Sequence, residues 1–132
     1  MTDADEQAKL VRGRLVVRSE AAFEELLGKA ENLLRLDEDG NPRPQVELAR
    51  CSNKRKVDYF LLARHLAKIG KLRESDLASD KEIAGFFGFQ ATEAQRRAFD
   101  LKREGKVEAV GRGEYRLVPG RVHDVLKDLG AE

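Results

Sequence analysis

The sequence predicts a mainly helical α+β protein in which a small C-terminal domain carries an N-terminal helical and hairpin extension. Three observations predict it. Apolar residues recur at helical spacing in several segments, a helix–glycine–helix pattern occupies residues 79–104, and two alternating segments flank a glycine-rich turn within 106–118. The length of 132 residues suits one domain, or one small domain with an extension. We therefore divide the chain into an N-terminal segment 1–18, an extension 19–50 and a domain 51–132.

The N-terminal segment gives the weakest signals. Residues 1–8 show no apolar periodicity, so we expect them to be frayed. The pattern of 9–18 fits a helix or a strand, and both remain open. Ser19 is a good N-cap residue, and the helical spacing that follows it predicts a helix over about 20–33.

The extension continues into a predicted hairpin or extended loop. The segment Asp-Glu-Asp-Gly-Asn at 37–41 lies between two apolar runs, which is a hairpin signal. Pro42 and Pro44 restrict the second strand to the edge of a sheet. The acidic alternation at 37–41 resembles the start of a calcium loop, but Pro42 and Leu48 stand where that loop requires glycine and glutamate. We therefore predict a turn.

The apolar face of residues 54–70 predicts the central helix of the core. Ser52 or Asn53 is in place to cap its start, and Gly70 is in place to end it.

A capping box predicts the next helix, over 79–87. The Ser79 hydroxyl can accept a hydrogen bond from the N–H of residue 82, and Glu82 can reach back to the N–H of residue 79. Gly88 then breaks the helix. The three phenylalanines Phe86, Phe87 and Phe89 cannot all point inward from so short a helix, so we expect one to be exposed.

A second helix is predicted over 92–104, ending at Gly105. Ala94, Ala98 and Leu101 lie on one face and are expected to point inward. The alternating segments that follow, joined by Gly111-Arg112-Gly113, predict a β-hairpin over 106–118. Residues 121–129 predict a short closing helix.

This order of elements resembles a known family. From Lys56 to Leu129 the chain is similar to winged helix-turn-helix domains of prokaryotic transcription regulators, over the motif SDKEIAGFFGFQATEAQRRAFDLKREGKVEAVGRGEYRL. A looser resemblance, over 20–129, is to small archaeal proteins of unassigned function. The resemblance implies a DNA-binding fold, with a recognition helix at about 92–104, a wing at about 106–118 and a role in transcription regulation.

The outward residues of the 92–104 helix are candidates for DNA contact, because the major groove admits one helix. Thr92, Gln95, Arg96 and, in part, Arg103 point outward, and Arg112 at the wing tip can enter a minor groove or bind the backbone. The candidates for phosphate contact are Lys54, Arg55, Lys56, Lys102, Lys106 and Arg116. The alternative interpretation of all these residues is a solvated charged face.

Two residues depart from the family pattern. Arg97 stands where such helices usually carry a small residue, and Phe99 stands where they usually carry an exposed polar one. The inward stripe is wider here, or Phe99 packs on another element or another subunit. A homodimer through Phe99 or through the N-terminal extension is therefore one expectation.

Composition excludes several other classes of protein. The single cysteine, Cys51, provides neither a disulfide framework nor a thiolate zinc site, and His65 and His123 lack partners at ligand spacing. No nucleophile, phosphate-loop or metalloprotease motif occurs, so we expect no enzyme activity, no cofactor and no metal. No apolar stretch is long enough to span a membrane. We expect a cytoplasmic protein.

Charge leaves the partner open. The net charge is +1, with −4 over residues 1–40 and +5 over 41–132. The isoelectric point of about 7.9 is below the value of about 9 that DNA-binding domains often exceed. Double-stranded DNA is the leading expectation. The alternatives are a winged-helix module that binds only protein, and an RNA- or ribosome-associated one.

Overall fold

Six α-helices and two small antiparallel sheets form an α+β fold in the part of the chain that the structure describes. The structure, a computed structural model, describes residues 4–15 and 19–130, with side chains for 4–11 and 22–130. The helices are α1 (Ala4–Leu15), α2 (Ser19–Glu31), α3 (Asn53–Ile69), α4 (Asp80–Phe87), α5 (Ala91–Arg103) and α6 (Val122–Asp128). The strands are β1 (Leu34–Leu36), β2 (Pro42–Pro44), β3 (Ala78–Ser79), β4 (Val107–Gly111) and β5 (Glu114–Leu117). No helix within the described ranges is both long and apolar enough to cross a bilayer.

The N-terminal segment is more helical than its sequence predicts. The expectation of a frayed start is wrong for residues 4–8, which lie in α1. Asp5 and Glu6 in the first turn interact favourably with the positive N-terminal end of the helix dipole. Residues 4–11 are all exposed, so no apolar periodicity marks this helix in the sequence. The question of helix or strand for 9–18 is answered as helix through Leu15. Residues 1–3 and 16–18, and the side chain of Ser19, lie outside what is described.

The predicted hairpin is present as β1 and β2, paired from Leu34 opposite Pro44 to Leu36 opposite Pro42. The pair is extended at one end by the Gln45 N–H, which donates to the Leu33 carbonyl at 2.9 Å. Both prolines occupy positions that alternate with the hydrogen-bonded ones. The ladder to β1 therefore does not need the N–H groups that they lack.

The predicted turn between the two strands is built by Asp37. Its Oδ1 accepts hydrogen bonds from the backbone N–H groups of Asp39 and Asn41, both at 2.9 Å. The turn also packs closely against the Arg73 side chain. A Cβ at Gly40 would lie only 2.8 Å from the Arg73 Cγ, so no larger residue fits there without a shift. A second link is the Tyr59 hydroxyl, which donates to the Leu33 carbonyl at 3.4 Å.

The central helix is α3, as predicted. The Ser52 hydroxyl caps it by accepting from the Arg55 N–H at 3.2 Å. Nearly every side chain between Val57 and Ala67 is buried, because α5, β5 and α6 all pack on this helix.

The end of α3 differs in detail from the predicted glycine stop. Gly70 follows the last helical residue but has an ordinary φ of −77°, whereas Lys71 takes the left-handed conformation at φ +60°. The Leu72 N–H donates to the Ala67 carbonyl at 2.9 Å, and the Lys71 N–H to the Lys68 carbonyl at 3.0 Å. This is the double closure of a Schellman motif, whose left-handed position favours glycine.

We therefore expect Lys71→Gly to raise the free energy of unfolding by about 0.5 to 1 kcal/mol, because glycine adopts this conformation without a Cβ clash. Urea unfolding measures the change. Lys71→Ala is the control for loss of the lysine side chain and should give no such gain. An equal gain from both variants would contradict the explanation from backbone strain.

The predicted helix pair α4–α5 is confirmed. Ser79 and Glu82 form the capping box, with the Ser79 Oγ accepting at 3.0 Å and the Glu82 Oε1 accepting at 3.2 Å. Gly88 ends α4 in the left-handed conformation at φ +79°. As predicted from the spacing, Ala94, Ala98 and Leu101 of α5 are fully buried.

The predicted second hairpin, β4–β5, and the closing helix α6 are also present. The sequence did not predict β3, whose two residues pair with β5 and give the sheet order β3-β5-β4. Since β3 immediately precedes α4, this pairing attaches the start of the helix pair to the hairpin.

Candidate functional site

The surface of α5 opposite its buried stripe is the main candidate site. At about 100° per residue, the residues opposite Ala94, Ala98 and Leu101 follow one another along the helix. They are Thr92, Arg96, Phe99 and Arg103, with Gln95 and Lys102 along one edge, and all six are exposed. We refer to these six residues as the α5 face. The structure therefore brings together the predicted base-contacting residues of this helix and Lys102.

The acidic residues of α5 are neutralised beside this face. Arg97 lies between Glu93 and Asp100, with its Nε 3.0 Å from Glu93 Oε1 and its Nη1 3.4 Å from Asp100 Oδ2. The Arg103 Nη2 also donates to Asp100, at 2.8 Å. By contrast, Arg96 and Lys102 form no ion pair with any residue that the structure describes. These two cations are therefore free to bind an external anion.

Phe99 lies in the middle of the α5 face and is 53% exposed. The Arg103 guanidinium lies over its ring, 5.0 Å from the centroid. Of the explanations offered by the sequence, a wider buried stripe is wrong, and Phe99 is not buried against another element of the described chain. Phe99 is therefore an exposed aromatic side chain in the middle of an otherwise polar helix face.

The hairpin tip lies against the start of α4. The carbonyl of Gly113 accepts from the Asp80 N–H at 3.0 Å, and Arg112 at the tip is exposed. Lys81, in the same first turn of α4, is also exposed and forms no ion pair within the described ranges. The sequence analysis did not single out Lys81, although the capping box formed by Ser79 and Glu82 places residue 81 in the first turn of α4. Arg116 is less free, because its Nη2 lies 3.3 Å from Glu108 Oε2 on the paired strand.

The remaining predicted phosphate contacts lie elsewhere, near the C-terminal end of α5. The Lys54 Nζ is 2.6 Å from Glu104 Oε2. Lys106 is only 11% exposed, and its ammonium contacts both Glu104 and Asp128. Arg55 is exposed and Lys56 half-buried in the first turn of the same helix as Lys54. The structure therefore does not bring Lys54 and Lys106 onto the α5 face.

The phenylalanine cluster of α4 has one exposed member, as predicted. Phe86 is 40% exposed, while its ring contacts Phe60 and Phe87 at centroid distances of 5.3 and 4.9 Å. Phe89 in turn stacks on Phe87 at 5.7 Å. Because Phe60 belongs to α3, these ring contacts hold α4 against α3.

All six residues of the α5 face are exposed. Among the described side chains, no three His, Cys, Asp or Glu residues are close enough to hold a metal ion. Comparison of the chain with known protein families, with curated proteins and with solved structures gives no match. The geometry of the site itself must therefore support any proposal about function.

Proposed function

We propose that the protein binds double-stranded DNA and acts as a transcription regulator, with residues 51–132 forming a winged helix-turn-helix domain. In this proposal α5 is the recognition helix and β4–β5 is the wing. The support is the order of elements, the left-handed turn at Gly88 between α4 and α5, and the sheet order β3-β5-β4. A helix-turn-helix presents its second helix to the major groove in this way.

The α5 face is the observation that carries the proposal. Arg96 and Lys102 are exposed cations without an internal partner, while Glu93 and Asp100 are each matched by an arginine. Such a helix can approach phosphates without the repulsion that its two acids would otherwise cause.

The residues have distinct proposed roles. Arg96 and Gln95 are placed to read base edges, and one good bidentate contact gives about 1 to 3 kcal/mol of discrimination. Lys102, Lys81 and Arg112 are placed to contact phosphates, which contribute affinity without sequence preference. Lys54 and Lys106 are left out, because both are held in internal ion pairs.

The test is fluorescence anisotropy of a labelled duplex of about two helical turns, titrated with the full chain at about 50 and 200 mM salt. We expect micromolar binding that weakens steeply with salt. Lys102→Ala should weaken binding several-fold and lower the salt slope by about 1, because it removes one phosphate contact. Lys106→Ala, which removes a cation held inside the protein, should leave the slope unchanged.

Lys127→Ala is the matched surface control. Lys127 is exposed on α6 and is not part of the α5 face, so its removal should not affect DNA binding. Absence of binding at low salt, or an equal loss for Lys127→Ala and Lys102→Ala, would reject the α5 face as a DNA-binding surface.

A second candidate function is a winged-helix module that binds protein only. Phe99 favours it, because an exposed aromatic ring in the centre of the α5 face suits an apolar partner surface, including a second copy of this chain. This candidate replaces the first if the duplex does not bind.

A further inference from the structure

Five ionisable side chains meet where α3, the C-terminal end of α5, the start of β4 and α6 come together. They are Lys54, Asp58, Glu104, Lys106 and Asp128, and we call them the charge cluster. They line a pocket of about 380 Å³ together with Ser52 and Arg55. The α5 face is not part of this pocket.

Asp58 is the buried member of the charge cluster. It is 2% exposed, and its Oδ1 has no hydrogen-bond donor among the described residues. The nearby ammonium groups already have partners, since Lys54 pairs with Glu104, and Lys106 pairs with Glu104 and Asp128. A buried carboxylate in this position has no dedicated counter-ion among the described residues, which disfavours its ionised form.

The charge balance of the cluster depends on Asp58. When its carboxyl is protonated, two ammonium groups face two carboxylates, Glu104 and Asp128. When it is ionised, two ammonium groups face three carboxylates, and Arg55 at the pocket rim is the remaining cation. Burial raises the pKa of Asp58 to about 7, with Lys106 and Lys54 acting to lower it and Asp128 and Glu104 acting to raise it.

We propose that Asp58 is a proton-binding site through which pH controls the packing of α6 against α3 and the end of α5. In the protonated form, Lys106 holds Asp128 of α6 and Glu104 at the end of α5. When Asp58 releases its proton to water, the new carboxylate attracts Lys106 and competes with Asp128. The contact that holds the C-terminal end of α6 is then weakened.

The location of the cluster supports this assignment. The contact between Lys106 and Asp128 joins the start of β4 to the last helical residue of α6, and the contact between Lys54 and Glu104 joins α3 to the end of α5. One proton therefore affects the packing of three helices. The inference does not depend on the proposed DNA binding.

The first experiment is a carboxyl-carbon NMR titration of the full chain between about pH 5 and 9. Amide hydrogen exchange of α6 is measured over the same range and expressed as protection factors. We expect Asp58 to titrate near pH 7 and the protection of α6 to fall about tenfold above that midpoint. Titration of Asp58 near its ordinary value of about 4, or α6 protection that does not change with pH, would overturn the proposal.

Asp58→Asn supplies the permanently neutral form of the site. A native carboxyl that binds its proton more tightly than the unfolded chain makes stability fall as pH rises from about 4 to 7. We therefore expect the Tm of the natural protein to fall by about 5 °C or more between pH 5 and 8, relative to this variant. Asp76→Asn, at a buried acid outside the charge cluster, should show the same fall in Tm between these pH values as the natural protein. If Asp58→Asn does not fold, the titration of the natural protein still decides the question.

Discussion

Replacement of Glu82 by alanine is expected to lower the free energy of unfolding by about 3 kcal/mol, because this side chain serves two structural roles. Its Oε1 accepts from the Ser79 N–H in the capping box, and its Oε2 lies 2.6 Å from the Nη2 of Arg64. Arg64 is 4% exposed, so the substitution leaves a buried guanidinium without a counter-ion. Removal of one partner from a buried pair costs about 3 to 5 kcal/mol. The lower end applies because Glu82 itself is 44% exposed and partly screened by water.

The surroundings of Arg64 offer little compensation for that loss. Its Nε and Nη1 have no hydrogen-bond acceptor within the described part of the chain. Burial lowers the pKa of Arg64, and the nearby Arg73 lowers it further. The Phe60 ring, 4.9 Å from the guanidinium, contributes a cation–π contact that Glu82→Ala leaves in place. Glu82 is thus the carboxylate on which the buried charge depends.

Urea unfolding of a small set of variants separates the two roles. Ser79→Ala removes only the cap and should cost about 1 kcal/mol. Glu82→Gln keeps an acceptor for the Ser79 N–H but removes the charge, so its cost should fall between those of Ser79→Ala and Glu82→Ala. Adding Arg64→Met to Glu82→Gln removes the unpaired charge and should restore part of the stability. If Glu82→Ala costs no more than Ser79→Ala, the ion pair contributes nothing measurable.

The second large effect is expected at Leu101. This side chain is fully buried where α5 packs on α3, and Leu101→Ala should cost about 3 kcal/mol through lost apolar burial and the cavity left behind. Phe99, two positions earlier on the same helix, is 53% exposed. Phe99→Ala should therefore change stability by no more than about 0.5 kcal/mol, although a larger side chain is removed.

This pair of variants tests the orientation of α5 directly. Both substitutions place alanine in the same helix, so differences in helix propensity are small, and the two unfolding curves are compared in urea. A costly Phe99→Ala together with a tolerated Leu101→Ala would mean that α5 is rotated, and that the proposed α5 face is buried. The expected order leaves that face available for binding.

Much of the secondary structure could be predicted because local signals agreed with one another. The helix pair α4–α5 has a capping box, a left-handed glycine and an inward stripe at Ala94, Ala98 and Leu101, and these signals are independent of the rest of the chain. In contrast, β3 has only two residues and exists because β5 pairs with it, so no local pattern could indicate it. The left-handed end of α3 at Lys71 was missed because glycine stands one residue earlier.

The candidate site was predicted in part, for a similar reason. The buried stripe of α5 determines which side of the helix is exposed, so Arg96 and Lys102 could be placed from spacing alone. The ion pairs could not be predicted from the sequence, because Glu104 and Asp128 reach Lys54 and Lys106 only through the tertiary fold. The burial of Asp58 and Arg64 was equally hidden, since charged residues within the α3 pattern are ordinarily taken as solvent-facing.

The placement of the two prolines in β2 also affects how this protein behaves at high concentration. Residues 41 and 45 direct hydrogen-bonding groups towards β1, so the intervening positions 42 and 44 direct theirs away from it. Both of those positions are proline and carry no N–H. A strand from another molecule would find no donors there with which to continue the ladder. The outer edge of β2 is thereby protected against intermolecular strand addition, a common route to aggregation for exposed edge strands.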